Sequence, residues 1–260
     1  MRILLTNDDG ISSPGILLLA AALREAGHRV FVIAPALDRS GVSHSISFLS
    51  GPRKLIEIEK DTWACDGTPV DCIVISLLGG IPELCMVRDG GCGTEGSPPD
   101  IIVSGINRCA NLGTDIVYSG TAAAARQGAL CNIPSVALSL VEGPVWNWET
   151  AVIFAAERLE EMLAYWKPGS FVNVNLPNRR EIPASLVHAF PSLRYYNDRI
   201  EIYDAPDGHR YCFSRAGEIS ASPEQGSDWM AVTDNNASIS GICIHPVLLE
   251  AVIAKGGHSG

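Results

Sequence analysis

The chain has 260 residues, and its 29 acidic residues against 19 Lys and Arg residues give a formal net charge of −10. Apolar residues make up 47% of the chain and charged residues 18%, a balance that is typical of a folded globular protein and excludes a disordered one. The acidic balance argues against a protein that binds duplex nucleic acid or an anionic membrane, because both attract a basic face.

No segment predicts export or a membrane span. The first apolar run ends at Asn7-Asp8-Asp9, and the longest, from Ile16 to Leu23, is far shorter than the roughly 20 residues of a membrane helix. The eight cysteines include no C-x-x-C pair. We therefore expect a cytoplasmic protein with reduced cysteines, for which Cys85 and Cys92 are the expected exception.

In chain order, the first part of the sequence alternates between strand and helix patterns. Short apolar runs bounded by turn residues predict strands at 2–6, 29–34, 100–104, 135–140 and 170–174. Capping residues and prolines before apolar patterns predict helices at 14–26, 69–78, 121–130 and 148–166. Alternating residues predict a hairpin beside the main sheet, from 54–59 and 62–65. The fold class predicted is a three-layer, doubly wound (Rossmann-like), mostly parallel α/β sheet.

The composition changes near Pro177, where alternating segments replace the strand and helix pattern. We predict a Rossmann-like core at 1–176, with a Gly- and Pro-rich surface insertion at 79–99, and a β-rich appendage at 177–260. Within the appendage, Asp207-Gly208 predicts the turn of a hairpin between 199–203 and 210–214, and a returning strand is predicted at 239–245. We expect the appendage to serve in oligomerisation.

Adjacent carboxylates at Asp8 and Asp9 follow the first predicted strand, where ligands bind in open α/β sheets. Their charges repel each other, and a hard divalent cation with oxygen ligands would relieve that repulsion. An Asx turn with a helix-capping carboxylate explains the same residues without a ligand. The polar loops at 34–45 and 105–113 would emerge at the same edge of a parallel sheet, and this convergence favours a binding site.

Tyr118-Ser119-Gly120-Thr121 precedes a helix of small residues, and such a helix start is either a phosphate site or a plain N-cap. The fingerprints of P-loop, dinucleotide-binding, serine-triad and zincin proteins are absent. His44 is the one histidine in a candidate site loop, and we expect a solvated or structural role for it. Asp71 and Asp115 are interpreted as helix-start and loop carboxylates.

Together these residues resemble a known family, the SurE nucleotidases (survival protein E, 5′/3′-nucleotidases). The resemblance covers essentially the whole chain, in family order. The matching blocks are MRILLTNDDGISSPGI, VIAPALDRSGVSHS, DGTPVDC, PPDIIVSGINRCANLGTDIVYSGTAAAA, IPSVALSL, FVNVNLP and GSDWMAVTDNNASISGICIHPV.

The resemblance implies an enzyme, a metal-dependent phosphomonoesterase that hydrolyses nucleoside 5′- or 3′-monophosphates to nucleoside and phosphate. It implies one divalent cation per subunit, Mg²⁺ or Mn²⁺, with Ca²⁺ as a possible occupant in a crystal. It implies catalytic roles for Asp8 and Asp9, which join Ser40 and Asn107 as the metal ligands. The implied substrate and phosphate contacts are Asn7, Gly41, Ser43, Asn111, Ser119, Gly120 and Thr121. It also implies a cytoplasmic homodimer or homotetramer that acts on a small nucleotide.

Four features depart from the family pattern. His44 stands where Asn is usual, Cys109 and Thr114 replace the commoner Gly and Asp, and the insertion at 79–99 is longer than usual. These changes lie at the rim of the implied site, so they bear on substrate preference and not on metal binding.

Two alternatives remain at this point. One is a haloacid-dehalogenase-like phosphatase with Asp8 or Asp9 as nucleophile, although its D-x-D spacing is missing because Gly10 follows Asp9. The other is a nucleotide-binding sensor without turnover, which composition does not distinguish from an enzyme.

Overall fold

A computed structural model describes residues 1–86, 96–183 and 185–246. Their strands are β1 (Arg2–Thr6), β2 (Arg29–Pro35), β3 (Leu55–Glu59), β4 (Thr62–Cys65), β5 (Ile101–Asn107), β6 (Ser135–Leu140), β7 (Ser170–Leu176), β8 (Leu186–His188), β9 (Arg194–Tyr196), β10 (Arg199–Asp204), β11 (Arg210–Arg215), β12 (Ile219–Ala221) and β13 (Ala237–Cys243). Their α-helices are α1 (Pro14–Glu25), α2 (Pro69–Ile75), α3 (Gly120–Leu130), α4 (Trp148–Glu157), α5 (Leu159–Ala164) and α6 (Asp228–Thr233).

The centre of the protein is a nine-stranded sheet with the order β3-β4-β2-β1-β5-β6-β7-β13-β8. The strands from β4 to β7 in this order are all parallel to their neighbours. β3 pairs antiparallel with β4 at one edge, and β13 pairs antiparallel with β7 towards the other. The mostly parallel, doubly wound prediction is therefore confirmed.

Alternate residues of the central strands pack against helices on opposite faces of the sheet. Ile3 and Leu5 belong to a core with α1, α4 and α5, whereas Leu4 belongs to a second core with α2 and α3. Because both faces are covered, the strand residues form continuous apolar runs. The two helical layers and the sheet between them are the predicted three layers.

The predicted hairpin is formed by β3 and β4, but it does not lie beside the main sheet. β4 pairs parallel with β2, so the hairpin is the edge of that sheet. β3 has β4 on one side only, and its residues 56–59 are all exposed, so its alternating pattern does not mark one buried face. Thr62 and Ala64 of β4 are buried.

Two predicted helices are shorter than expected. α2 ends at Ile75 and continues as one π-helical turn, Ser76–Gly80, in which Gly79 adopts φ 117°. The pattern at 148–166 divides into α4 and α5 at Arg158, whose φ of −103° and ψ of 8° are not helical. Arg158 N still donates to Phe154 O, and Met162 N donates to Arg158 O, so the two helices continue each other.

The segment at 79–99 is described only outside residues 87–95. In the described part, Ile81 and Leu84 are buried against Leu77 in the second core. Cys92 lies outside the described residues. Free thiols are found at Cys65, Cys72, Cys109, Cys131, Cys212 and Cys243.

After β7 the chain forms antiparallel strands and then returns to the sheet. β10 and β11 pair as the predicted hairpin, and β9 pairs with β12. The returning strand is β13, which lies two residues earlier than predicted. No helix among the described residues is both long enough and apolar enough to cross a membrane.

Candidate active site

The central sheet extends to both sides of β1. β2 and β4 follow on one side, and β5, β6 and β7 follow on the other, so the direction of winding reverses between β1 and β5. In doubly wound sheets, ligands bind at such a switch point, outside the carboxyl ends of the strands. The loops after β1, β2 and β5 meet there.

A cavity of about 270 Å³ lies at this point. It is lined by Asp8, Asp9, Ser40, Gly41, Asn107, Arg108, Cys109, Asn111, Asp115, Tyr118, Ser119 and Tyr196. The structure thus brings Asp8, Asp9, Ser40, Gly41, Asn107, Asn111 and Ser119, all predicted from the sequence, to one cavity.

Asn7 lies beneath the cavity and not in its wall. Its side-chain amide donates to Gly10 O at 2.9 Å and to Ser13 Oγ at 2.8 Å, and the residue is fully buried. Gly10 adopts φ 97°, a conformation that favours glycine. Asn7 therefore fixes the turn that presents the two aspartates.

Asp8 is a buried carboxylate at the N-terminus of α3. It accepts hydrogen bonds from Thr121 N at 3.1 Å and from the Thr121 hydroxyl at 2.5 Å. Burial raises the pKa of Asp8 to about 6, the Thr121 hydroxyl lowers it, and the charge of Asp9 adds to the increase. The two hydrogen bonds from Thr121 thus hold the carboxylate in place, but they do not fully offset the cost of removing its charge from water.

Asp9 bridges the loops after β1 and β5, because its Oδ2 accepts from Arg108 N at 2.9 Å. Burial raises the pKa of Asp9, and the Arg108 amide and charge act in the opposite direction. The neighbouring Asn107 lines the cavity and donates its side-chain NH₂ group to Cys109 O at 2.7 Å, so its side-chain oxygen has no hydrogen to give up and keeps its lone pairs.

Ser40 is oriented by Asp38. The Ser40 hydroxyl and backbone amide donate to Asp38 Oδ1 at 2.6 and 2.7 Å, so the lone pairs of the hydroxyl oxygen remain available. The adjacent Arg39 N donates to Asp8 O at 2.7 Å and ties this loop to the end of β1.

Two carboxylates and two neutral oxygens, all with free lone pairs, therefore line one cavity. Oxygen ligands of this kind suit Mg²⁺, Mn²⁺ or Ca²⁺ and suit a structural zinc poorly. No cluster of three or more His, Cys, Asp or Glu side chains that could hold a metal occurs in the described part of the chain. A cation here would therefore depend on Ser40 and Asn107 as well as on the aspartates.

Ser119 and the first residues of α3 have different positions relative to the cavity. Ser119 caps the helix by accepting from Ala122 N at 3.0 Å and lines the cavity. Gly120 and Thr121 are buried behind it against Asp8, and a Cβ on Gly120 would lie 2.8 Å from Asp8 Oδ2. Ser43 does not line the cavity, since its hydroxyl and amide bind Val117 O and Tyr118 O.

A buried amide network that the sequence analysis did not single out positions Asn111. Asn111 N donates to Asn175 Oδ1 at 2.7 Å, and its side-chain amide donates to Ser139 Oγ at 2.8 Å. Asn173 and Asn175 both donate to Asn111 O. Two asparagines at alternate positions of an otherwise apolar strand were the sequence signal for this network.

Asp115, Arg194 and Tyr196 form a second set that sequence reasoning did not place at the site. The Asp115 carboxylate accepts from the Tyr196 hydroxyl, and its Oδ2 lies 2.8 Å from an Arg194 guanidinium nitrogen. Tyr196 also stands edge-on to Tyr118, with ring centroids 6.5 Å apart. β9 therefore contributes to the cavity wall, a contact between distant segments that no local pattern indicates.

Removal of the Asp115 carboxylate should show how much its contacts with Arg194 and Tyr196 contribute to the stability of the protein. Because Arg194 is only 7% exposed, Asp115→Ala leaves a buried, unpaired charge, and we expect a loss of about 3–5 kcal/mol in the free energy of unfolding, measured by urea denaturation. Glu201→Ala removes the exposed partner of Arg215 and should cost less than about 1 kcal/mol. Equal effects of the two variants would contradict this account.

The three residues that depart from the family pattern have distinct surroundings. His44 Nε2 lies 3.0 Å from Gln127 Oε1, and burial lowers the pKa of this half-buried imidazole. Thr114 accepts from Arg194 N at 3.0 Å. Of the three, Cys109 lines the cavity, and burial raises the pKa of its thiol to about 11, so that it is neutral at pH 7.

The sequence model of the family "Survival protein SurE" matches residues 3–194 of the chain. The chain belongs to the SurE family. It is 37% identical to the 5′-nucleotidase SurE of Xanthomonas axonopodis pv. citri (strain 306), over 100% of this chain and 96% of the relative. It is 36% identical to the 5′-nucleotidase SurE of Thermosynechococcus vestitus, over 98% and 94%. The crystal structure of the SurE protein from Aquifex aeolicus superimposes with a TM-score of 0.79, at 32% identity and 98% coverage of both chains.

Membership of the SurE family implies a general requirement for a divalent metal. The cavity fits that requirement, because the hydrogens of Ser40 and Asn107 are donated to Asp38 Oδ1 and Cys109 O and their oxygens stay free. The fit rests on the orientation of these groups, independently of the family assignment.

Proposed function

We propose that this SurE protein is a metal-dependent phosphomonoesterase that hydrolyses nucleoside 5′- and 3′-monophosphates to nucleoside and phosphate. The observation that carries the proposal is the cavity at the switch point, where Asp8, Asp9, Ser40 and Asn107 present four oxygens beside Ser119. The chain covers nearly the whole length of two relatives that are named 5′-nucleotidase SurE, which supports the same activity.

The chain supplies two parts of a phosphate site, the carboxylates that would bind a cation and the helix start that would bind the phosphate oxygens. Asp8 and Asp9 carry two negative charges that balance a dication, so a phosphate dianion can enter a nearly neutral cavity. A bound divalent cation would supply Lewis-acid polarisation of the phosphoryl group. The Ser119 oxygen accepts from Ala122 N, which leaves its own proton available to a phosphate oxygen. The first turn of α3 places its positive dipole end on the same side.

The finer assignments are part of the same proposal. Asp8 and Asp9 are assigned as catalytic residues and metal ligands, Ser40 and Asn107 as further ligands, and Mg²⁺ or Mn²⁺ as the working metal. Gly41, Asn111 and Ser119 are assigned to direct phosphate contact. Asn7, Ser43, Gly120 and Thr121 are assigned to support, since their hydrogen bonds or close contacts hold the residues that line the cavity.

We also propose a cytoplasmic homodimer or homotetramer with a core at 1–176 and an assembling appendage at 177–260. The hairpin of β10 and β11 supports this, because it exposes large apolar side chains on a strand pair that the rest of the described chain does not cover. These are Ile200, Ile202, Tyr203, Tyr211 and Phe213. Light scattering of the purified protein measures the assembly.

A phosphate-release screen tests the activity. We expect nucleoside monophosphates to be hydrolysed with Mg²⁺ or Mn²⁺ and release to cease in EDTA, because the aspartates alone repel the phosphate. Nucleoside di- and triphosphates in the same screen define the substrate range. Release that is unchanged by EDTA would contradict the proposal. Tight nucleotide binding without release in excess Mn²⁺ would support a sensor.

A further inference from the structure

A second cavity of about 210 Å³ adjoins the first. It is lined by Asp9, Ser12, Ser13, Pro14, Arg108 and Trp148, and it shares Asp9 and Arg108 with the first cavity. Sites for small organic ligands have volumes of roughly 300–1,000 Å³, so each cavity alone is smaller than this range, whereas their combined volume lies within it. A substrate longer than phosphate would extend from one cavity into the other.

Trp148 is the aromatic residue of the second cavity, and its ring is held in place. Trp146 lies parallel to it, with ring centroids 5.4 Å apart and an interplanar angle of 18°. Its edge lies against Gly15, where an added Cβ would fall 3.1 Å from Trp148 Cζ3. Both tryptophans pack on the core below. A fixed indole is a low-entropy platform for a flat, aromatic ligand.

The second cavity also presents polar groups beside Trp148. Among the residues that the structure describes, neither the Arg108 guanidinium nor the Ser12 hydroxyl makes a hydrogen bond or an ion pair. Both line the passage beside Asp9. Such donors suit the hydroxyls of a sugar, and arginine also stacks on aromatic bases.

We propose that the nucleobase of the substrate stacks on Trp148, with the sugar beside Arg108 and Ser12 and the phosphate in the first cavity. This inference rests on the proposed function and adds the residues that would hold the base and the sugar of its substrate. Tyr118 is the competing platform, since it lines the first cavity and is 58% exposed.

Two esters that differ only in the base separate these roles. With Mn²⁺, Trp148→Ala should lower kcat/KM for AMP about tenfold, within the range measured for base stacking on aromatic residues, and should change kcat/KM for ribose 5-phosphate by less than about twofold. An equal loss for both esters, no loss for either, or a selective loss in Tyr118→Ala instead would overturn the proposal. No release from either ester by the wild type would instead refute the proposed phosphatase.

A binding measurement decides the question without turnover. Adenosine should quench the tryptophan fluorescence of the wild type and of Trp63→Phe, whose altered residue lies on β4 near the sheet edge. The quenching should disappear in Trp148→Phe, whereas inorganic phosphate should not quench any of the three. Quenching that survives in Trp148→Phe, or its absence in the wild type, would overturn the proposal even if the hydrolytic activity is confirmed.

Discussion

Asp8→Asn is expected to reduce metal-dependent phosphate release at least about a thousandfold while stabilising the metal-free protein. The loss follows because the variant removes one of the two charges that balance a dication. The gain follows because the buried carboxylate of Asp8 is costly to ionise, as its raised pKa of about 6 indicates. Asparagine can accept from Thr121 N and donate to the Thr121 hydroxyl oxygen, so the local geometry is preserved.

The stability difference should depend on pH in a defined direction. Between its ordinary pKa near 4 and the folded-state value of about 6, Asp8 binds more protons in the folded than in the unfolded state, so its contribution to stability falls as pH rises. The variant lacks this decrease. Without metal, the free energy of unfolding of Asp8→Asn should therefore be close to that of the wild type at pH 4 and exceed it by about 2–3 kcal/mol above pH 6.

Thermal melts in EDTA and in Mn²⁺, at several pH values, measure both effects. Mn²⁺ should raise the Tm of the wild type at pH 7 and leave that of Asp8→Asn unchanged. Asp234→Asn changes the same charge at an exposed position and should match the wild type in both conditions. An Asp8→Asn variant that is less stable at every pH, or that still responds to Mn²⁺, would refute the assignment of Asp8.

Gly120→Ala is expected to lower phosphate release about a hundredfold without altering any polar group of the site. The added Cβ would lie 2.8 Å from both Cβ and Oδ2 of Asp8, closer than such atoms normally approach. Either Asp8 or the start of α3 must move, and displacements of about 1 Å in a catalytic arrangement cost that much. Overpacking should also cost about 1–3 kcal/mol of stability.

Gly241→Ala is the matched control, because a Cβ on Gly241 meets no atom within 4 Å. It should retain wild-type kcat and Tm. A crystal structure of Gly120→Ala would show the displacement directly, as a longer distance between the Asp8 carboxylate and Thr121 N. Normal turnover in Gly120→Ala would mean that this close contact is not needed for the reaction.

The central fold could be predicted from the sequence because its signals are local. Strands buried on both faces leave uninterrupted apolar runs, and Pro14 and Pro69 mark helix starts by their fixed φ. Thr68 also caps its helix, whereas the Ser13 hydroxyl makes no capping bond and accepts from Asn7 instead. The exceptions were set by tertiary contacts. β4 joins β2 through pairing across the chain, and the break at Arg158 involves neither glycine nor proline.

The candidate site was predictable to the extent that its residues follow parallel strands. The topology alone brings Asp8, Ser40 and Asn107 to one edge, and their roles as ligands remain predictions. Tyr196 and Arg108 were missed for different reasons. Tyr196 reaches the first cavity from the appendage, far along the chain. Arg108 lines the second cavity together with Trp148, which begins a distant helix, so the sequence near Arg108 does not indicate that cavity.

The contacts of the appendage with the cavity wall have a consequence for the unity of the molecule. Asp228 Oδ2 accepts from Gly113 N at 2.7 Å, and Arg194 and Tyr196 hold Asp115. A fragment that stopped at Pro177 would lack all three partners and would leave the turn before α3 unbraced. The candidate active site and the last third of the polypeptide thus depend on each other, and neither can be excised as an independent module.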